Sequence, residues 1–261
     1  MATIGIQPRS TSPRDEARMT LMEHLGELRS RILKVVIMFL LAAVVAWFFH
    51  ERIFDLLLAP APSLEGHLNV TTVTEQVITD LKLALYAAFL LTVPVLLYQA
   101  WAFVAPSVGE VGRAFSYVLV MLASSLFLAG VAFGYFIVLP IGVDFLLSWD
   151  PDRYVAIITP SSYFSFATRF LLAFGTVFEL PAATYVGAKL GLIDAPFLRR
   201  HRRHALVINT VLAAALTPGQ DPFSMILMAV PMVLMYELSI IIARHVNPVS
   251  SKDSLEYAPG E

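Results

Sequence analysis

Residues 81–105 read LKLALYAAFLLTVPVLLYQAWAFVA, and Lys82 is the one charged side chain among them. As a helix rising 1.5 Å per residue, this stretch reaches about 37 Å, enough to cross roughly 30 Å of hydrocarbon. Peptide groups in that layer find no water, so the chain must satisfy them itself, in a helix or a closed barrel. Barrel strands are shorter and alternate apolar with polar residues. This stretch does neither, and a membrane-spanning helix is expected. Pro106 closes it on one side. On the other lies a polar segment, residues 55–80, with Pro60, Pro62 and Gly66 as breakers.

Five more apolar runs flank it. They are residues 32–49, 114–139 ended by Pro140, 163–190 interrupted by Glu179 and Pro181, 205–216, and 223–243 closed by Arg244. The fifth is only about 18 Å long as a helix. It fits either one arm of a re-entrant hairpin with the sixth run or a short true span with locally thinned bilayer. The composition agrees: 57% of residues are hydrophobic and 15% charged, against about 25% charged in soluble domains. The expected fold is an all-α membrane protein with six transmembrane helices. Residues 1–19 are expected as a disordered tail, 20–245 as the membrane domain, and 246–261 as a second polar tail. The first 20 residues have no apolar core and are not read as a cleavable signal.

The distribution of charge gives the orientation. Of the 18 Lys and Arg, 14 fall on the side of the two ends, including Arg199, Arg200, Arg202 and Arg203. Only Arg52 and Arg153 lie in the opposite loops, while Lys82 and Arg169 sit near outer ends of spans, where long side chains snorkel. Positive charge collects on the cytoplasmic side, so both termini are expected there. There are no cysteines, which excludes disulfides, thiol chemistry and Cys-ligated metal. No nucleophile elbow, phosphate loop or zinc-protease motif occurs, and neither an enzyme, a metal site nor a cofactor is expected.

Three acidic positions could carry function. In residues 20–31, TLMEHLGELRSR, Thr20 and Glu23 form a capping-box pattern. Leu21, Leu25, Leu28 and Ile32 lie on one helical face, and Glu23, Glu27 and Arg31 on another. This suits an amphipathic helix on the membrane surface, though Glu27 and Arg31 also read as an ordinary helix pair. Glu110 lies in the tight loop after Pro106. It reads as a solvated loop acid or as a partner for guanidinium groups, which carboxylates grip bidentately. Glu179 lies within an apolar run, where an acid is costly and marks function by default. An ion or proton site, a bond to another membrane helix and a structural bond within the bundle all remain open. The pair His201 and His204 is surrounded by arginines that would repel a metal cation, so this segment reads as a topology signal.

Taken together, certain segments resemble the TatC family, the core subunit of the twin-arginine protein translocase. They are Glu23 to Arg31; Leu58-Ala59-Pro60; Pro94 to Pro106; Phe133-Gly134-Tyr135-Phe136 with Leu139-Pro140; Ala173 to Pro181; Leu216-Thr217-Pro218 with Asp221; and Ala229 to Met232. The resemblance covers about residues 20–245 in order.

It implies a concave, glove-like bundle of six helices, the fifth and sixth short, in the bacterial cytoplasmic (inner) membrane. It implies a receptor for folded precursors that carry twin-arginine signal peptides. Such a receptor works with TatA- and TatB-type single-span partners, self-associates in a receptor complex within the lipid bilayer, and is driven by the proton-motive force. No nucleic acid is implied. Carried over, signal-peptide binding falls to Glu23, Glu27, Leu28, Arg29 and Phe103. The family's loop glutamate matches Gly112 here, and Glu110, two residues earlier, is expected to stand in for it. Glu179 is expected to face the concave interior where polar groups of partner helices dock. Pro60 and Asp221 match positions that matter structurally on the periplasmic side. The competing reading is a proton- or ion-coupled small-solute transporter using Glu179, which the absence of a clear inverted repeat weakens.

Overall fold

The computed structural model describes residues 13–104, 113–148, 157–216 and 222–246, with side chains left undescribed at residues 13–24, 113–115 and 216. The described residues fold into ten α-helices, a one-turn 3-10 helix and a π-turn. Five helical stretches are long and apolar enough to cross a membrane: 25–48, 75–104, 116–148, 160–189 and 222–246.

The first stretch lies within α1 (Pro13–Phe48). Residues 13–19, expected as tail, have helical backbone. The chain breaks at Phe49, and a short amphipathic helix, α2 (His50–Leu58), follows and runs into the first residues of the polar segment 55–80. A 3-10 turn (Pro62–Leu64) leads to α3 (Glu75–Val104), which continues through Pro94.

The third stretch departs from expectation. Pro140 does not end it. Helix α4 (Arg113–Phe133) passes through a π-turn (Gly134–Val138) into α5 (Leu139–Ser148). In the wider turn the Leu139 N–H reaches the Gly134 carbonyl. Such a local adjustment lets a membrane helix carry a proline, whose ring otherwise clashes with the preceding turn. The fourth stretch is divided as the sequence indicates: α6 (Pro160–Phe178) and α7 (Leu180–Lys189) meet at Glu179. Asp194 caps α8 (Ala195–Arg200), its Oδ1 accepting the Phe197 N–H at 2.6 Å. Helix α9 (Arg202–Leu216) has 15 residues, about 22 Å, which is short for a span. Helix α10 (Pro222–Val246) completes the bundle.

Helix α6 forms the centre, with Phe164, Phe170 and Phe174 fully buried. Small residues allow this. A Cβ added to Gly130 on α4 would stand 2.5 Å from the Phe174 carbonyl oxygen, and one on Gly175 would stand 2.7 Å from the Phe127 ring. Helix α1 packs on α3 through an alanine seam, Ala42 and Ala46 against Ala84 and Ala88. Its other sides, including Leu33, Ile37, Leu40 and Val44, are exposed, as expected of residues facing lipid. In lipid, apolar burial gains little between helices, and close approach of small residues takes over.

The end opposite the basic loop is closed by polar ties. Tyr135 and Tyr163 donate their hydroxyls to the Leu56 and Leu57 carbonyls, each at 2.7 Å, filling acceptors that the end of α2 leaves open. Gly130→Ala is expected to cost about 1–3 kcal/mol of stability through overpacking. Gly26→Ala, where an added Cβ meets nothing within 4 Å, is expected to leave stability equal or higher. Thermal unfolding of the two variants in detergent checks the contrast.

Candidate functional site

Glu27, Leu28 and Arg29 lie on α1, at the start of the stretch 25–48. Phe103 lies in the last turn of α3. The structure brings this turn of α1 and the end of α3 together. Leu28 and Phe103 line one cavity of about 400 Å³, whose other walls include Ile32, Val35 and Leu96. Arg29 is exposed. Glu23 stands one turn before Glu27 on α1, with its side chain outside the described set. Glu110 and Asp221 lie outside the described residues. Pro60 is half-buried in the turn that ends α2, ahead of the fully buried Ala61.

The acid of this site is held by an arginine. Arg31 Nε donates to Glu27 Oε1 at 3.0 Å, and its Nη2 reaches the same oxygen. Its Nη1 donates to Gln99 Oε1 at 3.2 Å and its Nη2 to the Ala102 carbonyl at 3.1 Å, both on α3. The Glu27 side chain remains 42% exposed, while that of Arg31 is 19% exposed. The carboxylate therefore faces outward and the guanidinium is tucked between helices. The sequence presented Glu27 and Arg31 as a helix pair four residues apart. It did not show that Arg31 reaches across to α3. The available signal was Gln99, an amide inside an otherwise apolar run, where a polar group needs a partner.

Glu179 marks a second site. It sits at the junction of α6 and α7, half-buried, and its Oε1 is buried with no hydrogen-bond partner among the described residues. It lines a cavity of about 330 Å³ with Leu97, Leu119, Ala183 and Val186. The walls are almost wholly apolar, with the Trp101 indole among them. Ala100 and Val104 line both this cavity and that beside Phe103. The last turns of α3 thus separate the two.

The match to known proteins is broad. The family model of the Sec-independent protein translocase protein (TatC) covers residues 23–231. The chain belongs to the TatC family. It is 40% identical to the Sec-independent protein translocase protein TatC of Carboxydothermus hydrogenoformans over 234 residues, covering 90% of this chain and 96% of the relative. The TatC of Aquifex aeolicus is 34% identical over 230 residues, with 87% and 95% covered. A crystal structure of a twin-arginine translocase receptor TatC superposes with a TM-score of 0.78 at 32% identity, covering 86% of this chain and 99% of that one. These findings make the chain a TatC protein of a translocase, built from several membrane helices.

One further tie was not legible as a site residue. Glu75, 7% exposed, accepts the Thr71 N–H at 2.9 Å, the Thr71 hydroxyl at 3.0 Å and the Ser161 N–H at 3.3 Å. It thereby fastens the loop before α3 to the start of α6 in this TatC chain. Glu75→Ala leaves buried donors without an acceptor, which costs about 1–3 kcal/mol. The expected result is a lower melting temperature together with faster protease cleavage between residues 65 and 74.

Proposed function

We propose that this TatC protein is the receptor for twin-arginine signal peptides, with the outward-facing Glu27 carboxylate as a ligand for the paired arginines. One observation carries the reading. At the basic end of the first span an exposed acid already coordinates a guanidinium, beside an apolar cavity lined by Leu28 and Phe103. A carboxylate presented at a membrane surface grips guanidinium through paired charge-assisted hydrogen bonds. Each is worth about 1.5–3 kcal/mol, so two such contacts separate a true signal from a Lys-substituted one by roughly tenfold or more. Glu23, Arg29 and Glu110 complete the peptide site. Glu110 serves as the loop acid in place of Gly112.

Both termini face the cytoplasm of a bacterial inner membrane, and α9 is a short fifth span in a locally thinned bilayer. The bias of Lys and Arg toward the side of the ends supports the orientation. Its partners are TatA- and TatB-type single-span proteins, docked where Glu179 presents an unanswered carboxyl oxygen to an apolar cavity. Copies of the chain self-associate in the receptor complex, and Pro60 and Asp221 shape its periplasmic side. The proton-motive force drives transport of the folded cargo. Six helices are too few to enclose a pore for a folded protein, so recruited partners must complete the passage. The TatC family match leaves the solute-transporter reading of Glu179 without support.

The test is binding of a twin-arginine precursor to the purified protein in detergent. Glu27→Ala combined with Glu110→Ala is expected to weaken binding by about tenfold or more. Glu179→Ala is expected to spare it while reducing co-purification of the single-span partners. Unchanged precursor affinity in the double variant removes the site assignment.

A further inference from the structure

Arg31 presents a puzzle that the receptor reading does not absorb. The proposed ligand of an incoming arginine already holds one. That internal guanidinium is not held by Glu27 alone. It also donates to Gln99 Oε1 and to the Ala102 carbonyl, both on α3. If Glu27 turned toward a peptide, Arg31 would keep two acceptors. Its Nη1 and Nη2 would stay bonded to α3, and only Nε, whose bond to Glu27 lies on the exposed side, would turn to water, so the exchange avoids the cost of a buried unpaired donor. Glu27, by contrast, has no other hydrogen-bond partner among the described residues and is the more exposed of the two. The pair is built so that the acid is the movable member and the arginine the fixed one.

We infer that Arg31 is a specificity-determining residue: an internal guanidinium that occupies Glu27 and sets the threshold an incoming cation must exceed. This rests on the reading of Glu27 as a peptide ligand. A peptide arginine can replace Arg31 with an equivalent planar fork. A lysine offers a compact, strongly hydrated ammonium that cannot reproduce the two N–H bonds that Arg31 Nε and Nη2 make to Glu27 Oε1. Against a bare carboxylate the two cations differ modestly. Against a carboxylate whose Oε1 is already held by two guanidinium N–H groups, only guanidinium exchanges at little cost. Selectivity then comes from what the wrong ligand must displace as well as from what the right one gains. The i, i+4 spacing keeps this competitor always at hand, because both groups sit on successive turns of α1.

The experiment measures Kd of the purified protein in detergent for two synthetic signal peptides, one with Arg-Arg and one with Lys-Lys. Arg31→Gln is expected to raise Lys-Lys affinity most, so that the preference for Arg-Arg falls by roughly tenfold, the scale of one charge-assisted bond. Arg31→Lys, which keeps the charge and the aliphatic stem, is expected to give an intermediate preference and covers the case in which Arg31→Gln fails to fold. Ala46→Val, which disturbs the alanine seam between α1 and α3 away from Arg31, is expected to retain the full preference.

Three results overturn the inference: an unchanged or larger preference in Arg31→Gln, an Arg31→Lys protein as selective as the parent, or an equal loss of preference in Ala46→Val. Glu27→Ala in the same assay separates this failure from that of the receptor reading. If Glu27→Ala abolishes binding while Arg31→Gln keeps the preference, the receptor site stands and only the role of Arg31 falls. If Glu27→Ala binds both peptides as the parent does, the receptor reading itself fails.

Discussion

Hydrocarbon gives a helix nothing to bond to and little reason to leave it. The peptide groups of this chain are therefore satisfied within helices, and the helices must find each other by means other than apolar burial. Two devices do this. One is close approach over small residues: Gly130 and Gly175 let α4 and α6 meet around Phe127 and Phe174, and four alanines join α1 to α3. The other is a polar tie at each end of a seam. Arg31 spans from α1 to the Gln99 and Ala102 oxygens of α3 at one end. Tyr135, Tyr163 and Glu75 fasten α2, α3 and α6 at the other.

The same economy places the two acids that matter. Glu27 lies at the basic end of the α1–α3 seam, where the guanidinium that joins the helices also orients the carboxylate. Glu179 lies where α6 gives way to α7, facing an apolar cavity on the other side of α3. Ala100 and Val104 form a thin wall common to both cavities. A peptide bound at one and a partner helix at the other would press on opposite faces of the same helical turns. Receptor and assembly functions would thus meet at the end of α3.

Long apolar runs were legible because hydrocarbon thickness fixes their length, and the break at Glu179 was legible because Pro181 cannot continue a bonded helix. The passage through Pro140 was not, because a π-turn depends on how the turns around Gly134 pack, with α6 side chains close beside it. Helix α2 was not legible because its apolar face is short and it straddles the start of the polar segment 55–80. At the site, Glu27, Leu28 and Phe103 were reached through family likeness, and the structure brings Leu28 and Phe103 to one cavity. The cross-helix reach of Arg31 was invisible, since it depends on the register of α1 against α3, which no spacing within either helix encodes.

The central claim is that the end of the bundle carrying Glu27 faces the cytoplasm, where a precursor's leader can reach it. The chain has no cysteine, so a single Leu25→Cys substitution, at a side chain 63% exposed and two residues from Glu27, gives an unambiguous label. A membrane-impermeant maleimide is predicted to modify it in inverted vesicles and to leave it untouched in right-side-out spheroplasts. Modification from the outside of intact spheroplasts would place the acid on the wrong side of the membrane and contradict the account.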